Sequence, residues 1–210
     1  MAILNDISEK VQAGKAKDVK ALIEQAIADG IAAKSILEEG LLPGMAIIGD
    51  KFKNNEVYVP EVLVSARAMK AGTDILKPYL VAADVKPIGK VAIGTVKGDL
   101  HDIGKNLVKM MMEGKGIEVM DLGVDVSPEQ FVQSVKDGAQ VICCSALLTT
   151  TMGVMKDVVD AVVKEGLRDK VKIMVGGAPI TDAYCKSIGA DGYTADAASA
   201  SDLAVTFLTA

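Results

Sequence analysis

From Ile3 to about Leu80 apolar residues recur at helical spacing, with Val19, Leu22, Ile23, Ala26 and Ile27 on one face and no stretch that alternates as a strand does. This half reads as a helix bundle. Turn signals at Ala13-Gly14, Asp29-Gly30, Gly40 to Gly44 and Lys53-Asn54-Asn55 divide it into four or five helices, the last and longest opening near Pro60. Proline suits a first helical turn because the N–H it lacks has no intrahelical partner there. Between Lys77-Pro78 and Lys86-Pro87 the pattern dissolves, so the expected organisation is a helical domain over 1–80, a linker over 81–88 and a second domain over 89–210.

Beyond that boundary the periodicity changes to five short β-rich runs: Lys90 to Gly94, Glu118 to Leu122, Val141 to Cys144, Lys172 to Val175 and a weaker one over Asp191 to Tyr193. Each is followed by a helical stretch. Such alternation specifies α/β architecture, a parallel sheet covered by helices on both faces. With five strands the expectation is a doubly wound, flavodoxin- or Rossmann-like sheet of order 2-1-3-4-5. Open sheets of this kind bind ligands outside the carboxyl ends of their strands, where the order reverses. His101 follows strand one, Ser145 follows strand three and Gly176-Gly177 follow strand four, so three polar or glycine-rich loops converge on that edge.

The 210 residues are half apolar, enough for a substantial core in one large or two small domains. Twenty-three basic residues stand against 28 acidic ones, with signs interspersed, and aromatics are 3% with no Trp. Neither basic stripe nor stacking platform is present for a nucleic acid. No apolar segment approaches the roughly 18 residues of a membrane span, and the N-terminus lacks a basic lead into an apolar run, so the expected location is the cytoplasm. Cys143 and Cys144 are adjacent in a strand-like run and Cys185 stands alone on a helix, which suits small buried residues better than disulfides.

The chain's single histidine lies in Gly94-Thr95-Val96-Lys97-Gly98-Asp99-Leu100-His101-Asp102-Ile103-Gly104. One His without a Cys pair at ligand spacing cannot close a zinc site, so a metal has to arrive inside a cofactor. Asp99 is placed to accept from Nδ1 and leave Nε2 free as a ligand. Gly98 and Gly104 remove side chains where a planar group would press on the backbone. Alternatively, the histidine only caps the helix starting at Ile103 or Gly104. In Ser145-Ala146-Leu147-Leu148-Thr149-Thr150-Thr151, hydroxyls exceed what capping needs. Gly176-Gly177-Ala178-Pro179 reads as a turn into a helix with Pro at its first position.

The order Asp-x-His-x-x-Gly, 40 intervening residues, Ser-x-Leu, 28 more and Gly-Gly resembles the base-off/His-on cobalamin-binding domain. The whole chain looks like the two-domain corrinoid proteins of anaerobic methyltransferase systems and the matching module pair of cobalamin-dependent methionine synthase. Its segment from Tyr58 to Lys70 is like their cap helix. The resemblance implies that His101 coordinates cobalt from below in place of the benzimidazole, and that Asp99 orients it. Methionine synthase completes the relay with a serine six residues after the first Ser of the third motif, and here that position is Thr151. Gly98, Asp102, Ile103 and Gly104 then surround the ligand loop. Ser145, Leu147, Thr149, Gly176 and Gly177 line a channel for the nucleotide tail, which Tyr193 and Ala195 close. A cap stripe of Tyr58, Val62, Ser65, Ala68 and Met69 shields the cobalt, although bundle packing explains the same stripe.

The implied function is a methyl carrier: cobalt takes a methyl group from a donor and presents it to an acceptor. The chain holds no second catalytic apparatus. Its implied partners are therefore a substrate-specific methyltransferase, a second methyltransferase acting on tetrahydrofolate or a thiol, and a reductive activator, with neither nucleic acid nor membrane among them. Methylamines, quaternary amines, aryl methyl ethers and methanol remain open as donors. The alternative is a cobalamin-dependent sensor, which requires an output module that this sequence does not display.

Overall fold

The computed structural model describes residues 2–210 and resolves them into two compact units, a helical one extending to Pro87 and an α/β one over Ile88–Glu113 and Ile117–Ala210. In the helical unit, α1 (Ala2–Gln12) and α2 (Ala16–Ala28) are followed by a single turn, α3 (Ala33–Ser35). A π-helical stretch, Ile36–Leu41, then runs straight into α4 (Leu42–Lys53), and α5 (Val59–Ala82) completes the unit.

The expected break at Gly40 to Gly44 is therefore absent. Those glycines serve packing: a Cβ on Gly44 would stand 2.8 Å from the Ser8 carbonyl oxygen and 2.9 Å from Val11 Cβ, and one on Gly40 would meet Ile7 Cγ2 at 3.3 Å. They let α1 lie directly on the backbone of the later helix. The break at Asn54-Asn55 is real, with Asn55 left-handed at φ 59° while Asn55 and Glu56 N–H close on the Phe52 and Lys51 carbonyls. Pro78 does not end α5. It removes only the donor that would reach the Asp74 carbonyl, and the helix continues to Ala82, into the stretch expected to be linker. Asp84, left-handed at φ 49°, then terminates it.

The second unit is a five-stranded parallel sheet of order β2-β1-β3-β4-β5, as expected. Its strands are β1 (Lys90–Val96), β2 (Glu118–Val126), β3 (Val141–Ser145), β4 (Lys172–Gly176) and β5 (Gly192–Tyr193). Between and after them come α6 (Ile103–Glu113), α7 (Pro128–Lys136), α8 (Met152–Lys164), α9 (Asp182–Ser187) and α10 (Ala197–Thr209). Strand period two sends neighbours to opposite faces. Ala92, Val96, Ile142, Cys144, Ile173 and Val175 join Phe131, Met155, Val158 and Val162 in one core layer. Val91, Ile93, Val141, Cys143 and Met174 join Met112, Ala200 and Ala204 in the other. Cys143 and Cys144 thus belong to different layers; both are buried and free, and burial pushes the Cys143 thiol up to about 12. Among the described residues no helix is long and apolar enough to cross a membrane.

The packing role of the glycines is testable by unfolding in urea. Gly44→Ala is expected to destabilise the protein by about 1–3 kcal/mol through overpacking. Gly153→Ala, at a helical position where a Cβ meets nothing within 4 Å, is expected to be neutral or to stabilise by up to ~1 kcal/mol.

Candidate functional site

All five strands run the same way, so the segments leaving Val96, Val126, Ser145, Gly176 and Tyr193 emerge on one edge of the sheet. The centre of that edge is the Asp99 carboxylate. It is fully buried, yet both its oxygens are occupied. Oδ1 accepts from the His101 ring Nδ1 at 2.7 Å and from the His101 main-chain N–H at 3.1 Å. Oδ2 accepts from Leu147 N–H at 2.8 Å, Leu148 N–H at 3.1 Å and the Thr151 hydroxyl at 2.9 Å. Burial pushes this carboxyl's pKa upward, but the hydrogen bonds from His101, Leu147 and Leu148 outweigh it and hold the group well below the usual carboxylate range.

The histidine itself is held by its backbone as well as its ring. The buried Thr95 hydroxyl donates to the His101 carbonyl at 2.9 Å. With Nδ1 committed to Asp99, the ring carries its remaining nitrogen on a side chain 53% exposed, and no hydrogen bond to Nε2 is made by any described residue. Around it the same loops leave large apolar side chains open: Leu100 and Ile103 beside the histidine, Leu147 and Leu148 after β3. Among the described residues no cluster of three or more His, Cys, Asp or Glu side chains could hold a metal ion.

The remaining candidates divide clearly. Gly98 is left-handed at φ 84°, so its glycine answers a turn; the Thr151 methyl lies 3.5 Å from where its Cβ would be. Thr151 precedes α8 but makes no side-chain cap; its hydroxyl lies 2.9 Å from both Asp99 Oδ2 and the Leu148 carbonyl oxygen. Gly177 (φ 132°) could carry no side chain, since a Cβ would lie 1.8 Å from the Ala146 carbonyl oxygen, whereas Gly104 and Gly176 are open above. Asp102 accepts from Asn106 Nδ2 at 3.0 Å. Ser145 ends β3 between Thr95 and Gly176, and Thr149 is exposed in the following turn. Tyr193 pairs with Val175 and packs half-buried against the core, with Ala195 exposed beyond it. Pro179 does not start a helix: α9 begins at Asp182, capped by the Thr181 hydroxyl accepting from Tyr184 N–H.

The cap stripe takes a different form from the one expected. Val62, Ser65, Ala68 and Met69 are buried along the face of α5 that also carries Gly72, where a Cβ would meet Ile23, Leu41 and Val19. Ser65 Oγ donates to the Gln12 carbonyl at 3.1 Å. All four are buried, as bundle packing would have them. Tyr58 alone of the five is open, and its N–H donates to Glu61 at the start of α5. Sequence reasoning missed Thr95, the two leucine N–H groups and Asp125, whose Oδ1 accepts from Gly98 N–H at 2.7 Å. Backbone donors leave no mark in side-chain identity; a hydroxyl inside an otherwise apolar strand was the one available signal.

Comparisons with known proteins agree across the length of the chain. A family model described as a B12 binding domain matches residues 89–201, and a second of the same description matches residues 3–77. Dimethylamine corrinoid protein 3 of Methanosarcina acetivorans is 39% identical over 199 residues, covering 94% of this chain and 93% of that protein. The crystal structure of the methanol:cobalamin methyltransferase complex of Methanosarcina barkeri contains a chain that superposes with a TM-score of 0.90 at 28% identity, covering 99% of this chain and 80% of that one. A cobalamin-binding protein of Desulfitobacterium hafniense matches with a TM-score of 0.79 at 30% identity, over 97% of this chain and 98% of that one.

A carboxyl whose pKa is lowered on folding contributes stability above its ordinary value, which is lost as pH falls below about 4. Asp99→Asn places amide hydrogens against N–H donors and is expected to lower stability at pH 7 by about 1–3 kcal/mol, with the gap to the parent narrowing below pH ~4. Urea titrations at the two pH values measure this. Thr151→Val, which keeps the shape and loses the donor, is expected to cost about 1–2 kcal/mol, whereas Thr151→Ser keeps the bond and costs less.

Proposed function

The chain belongs to the B12-binding family in both its parts, and from that premise we propose that it carries a methyl group between two methyltransferases, with His101 as the protein's ligand to the corrinoid cobalt. The corrinoid supplies a cobalt centre able to accept a methyl group from a donor and release it to an acceptor. The residues at the sheet edge fit such a group. A corrin ring would bring most of the metal's ligands itself, so one nitrogen from the protein, that of His101, would be sufficient, and the exposed apolar side chains beside it would suit a macrocycle.

One observation carries the reading: the only histidine is fixed by its Nδ1 to a buried carboxylate while Nε2 has no hydrogen-bond partner among the described residues. This is the arrangement in which a second group sets the tautomer and basicity of a metal-binding imidazole. Asp99 stays anionic throughout the neutral and mildly acidic range, so Nδ1 is the nitrogen that keeps its proton. Thr151 and the Leu147 and Leu148 N–H groups hold the carboxylate in place while the histidine binds or leaves its ligand position. A Cβ on Gly104 or Gly176 would meet nothing within 4 Å, and Ser145, Leu147, Thr149, Gly177, Tyr193 and Ala195 would line the nucleotide tail.

A substrate-specific methyltransferase loads the chain, with methylated amines and methanol as the donor classes found in the relatives' names. A second methyltransferase, acting on tetrahydrofolate or a thiol, unloads it, and a reductive activator returns oxidised cobalt to use.

Because the chain has one histidine, growth on 15N-histidine labels the proposed ligand alone. After reconstitution with cobalamin and reduction to Co(II), the electron spin resonance spectrum is expected to show nitrogen splitting that changes from triplets to doublets on labelling and is lost in His101→Ala. Splitting that ignores the label would remove His101 from the cobalt.

A further inference from the structure

Asp125 lies outside every motif described above, yet it meets the histidine loop twice. Its N–H donates to the Asp99 carbonyl at 3.1 Å, and its Oδ1 accepts from Gly98 N–H at 2.7 Å. It reaches that loop because β2 departs from regular pairing with β1. The register shifts between Ile93 and Gly94 and again between Gly94 and Val96, while Gly123 and Asp125 both take left-handed backbone, at φ 86° and 55°. Irregularities of this kind re-aim the end of a strand. A left-handed non-glycine residue persists only where its surroundings determine it.

Those surroundings are a second polar knot under the bulge. Asp121 Oδ1 accepts from Gly123 N–H at 3.0 Å and from the buried Lys105 ammonium at 2.6 Å, and Asp121 Oδ2 accepts from Lys109 at 3.1 Å. Both lysines stand on α6, the helix that the histidine loop enters. The bulge is thus fastened to the element that follows the loop, and Asp125 is fastened to the loop itself. Since β1 lies between β2 and β3 in the sheet, Asp125 grips Gly98-Asp99 from the flank opposite the Leu147 to Thr151 loop.

We propose that Asp125 is a positioning residue for His101: with its carboxylate on the Gly98 N–H, it fixes the main chain of Gly98-Asp99, so that the Asp99 carboxylate keeps hold of the ring Nδ1 and Nε2 stays presented. The inference rests on the reading of His101 as the presented ligand. It adds that the edge strand, through one strained residue, shares in setting the ring.

The test uses the full chain without corrinoid, labelled with 15N-histidine, at a single pH well above the usual imidazole range. Long-range proton–nitrogen spectra then report which ring nitrogen carries the proton. The parent is expected to show one tautomer, protonated at Nδ1. Asp125→Gly keeps the left-handed backbone and loses the acceptor; the expected result is loss of that single tautomer in favour of averaged signals. Asp125→Asn, which tolerates the same backbone and still offers an oxygen to Gly98 N–H, is expected to keep the parent spectrum, and thermal melts establish that all three proteins are folded. An Asp125→Gly ring identical to the parent's overturns the proposal, as does an Asp125→Asn ring displaced as far as that of Asp125→Gly. No cobalt is present, so failure here leaves the axial-ligand experiment to stand or fall separately.

Discussion

A carboxylate sealed from water is the constraint around which the functional edge is organised. Removing such a charge from solvent carries a penalty of several kcal/mol, more than any one hydrogen bond returns. Asp99 meets it with five donors drawn from its own loop and from the segment after β3. The donors come from two loops, so the full replacement for water is present only when both are in place. The histidine benefits from that requirement. Its ring donates to a group that cannot move without exposing or orphaning a charge, which gives a half-exposed side chain a definite orientation.

The sheet topology makes this possible. Strand order β2-β1-β3 sets the histidine loop between two neighbours, and both reach it through main-chain atoms or short side chains. On the β3 side the donors are the N–H groups of Leu147 and Leu148 and one hydroxyl. On the β2 side the Asp125 N–H donates to the Asp99 carbonyl, and the Asp125 carboxylate accepts from the Gly98 N–H. Beneath the loops, the two core layers are built from alternating Val, Ile, Ala and Met, whose burial fixes the strand register. Register in turn sets where each loop departs. The precision at the edge is inherited from apolar packing within the sheet.

Much of this was legible in the sequence, for identifiable reasons. Strand order followed from strand–helix alternation, and the pairing of Asp99 with His101 from a spacing of two. Gly40 to Gly44 misled because glycine and proline usually punctuate, whereas here α1 residues more than thirty positions earlier decide what they do. The α5 stripe allowed two accounts, because a helix face that packs a bundle and one that covers a ligand carry the same periodicity; in the structure Val62, Ser65, Ala68 and Met69 are buried. β1 and β2 extend past the ends assigned from their apolar runs, because Thr95 and Val96 still pair, and because a bulge removes the period of two from Gly123 to Asp125. Asp125 was out of reach for the same reason. Its importance comes from a backbone conformation, and an aspartate in a strand-like run gives no hint of one.

The double use of Leu147 and Leu148 shows how little of the site is spare. Their N–H groups turn inward to a buried carboxylate, so their side chains remain at the surface, where two exposed leucines are unfavourable unless something covers them. Leu100 and Ile103 are left open in the same way on the other side of the histidine. Polar satisfaction inside the edge thus generates apolar surface outside it, on the loops that carry and hold the histidine. The hydrogen bonds that orient the histidine ring are thus the same ones that leave Leu147 and Leu148 at the surface.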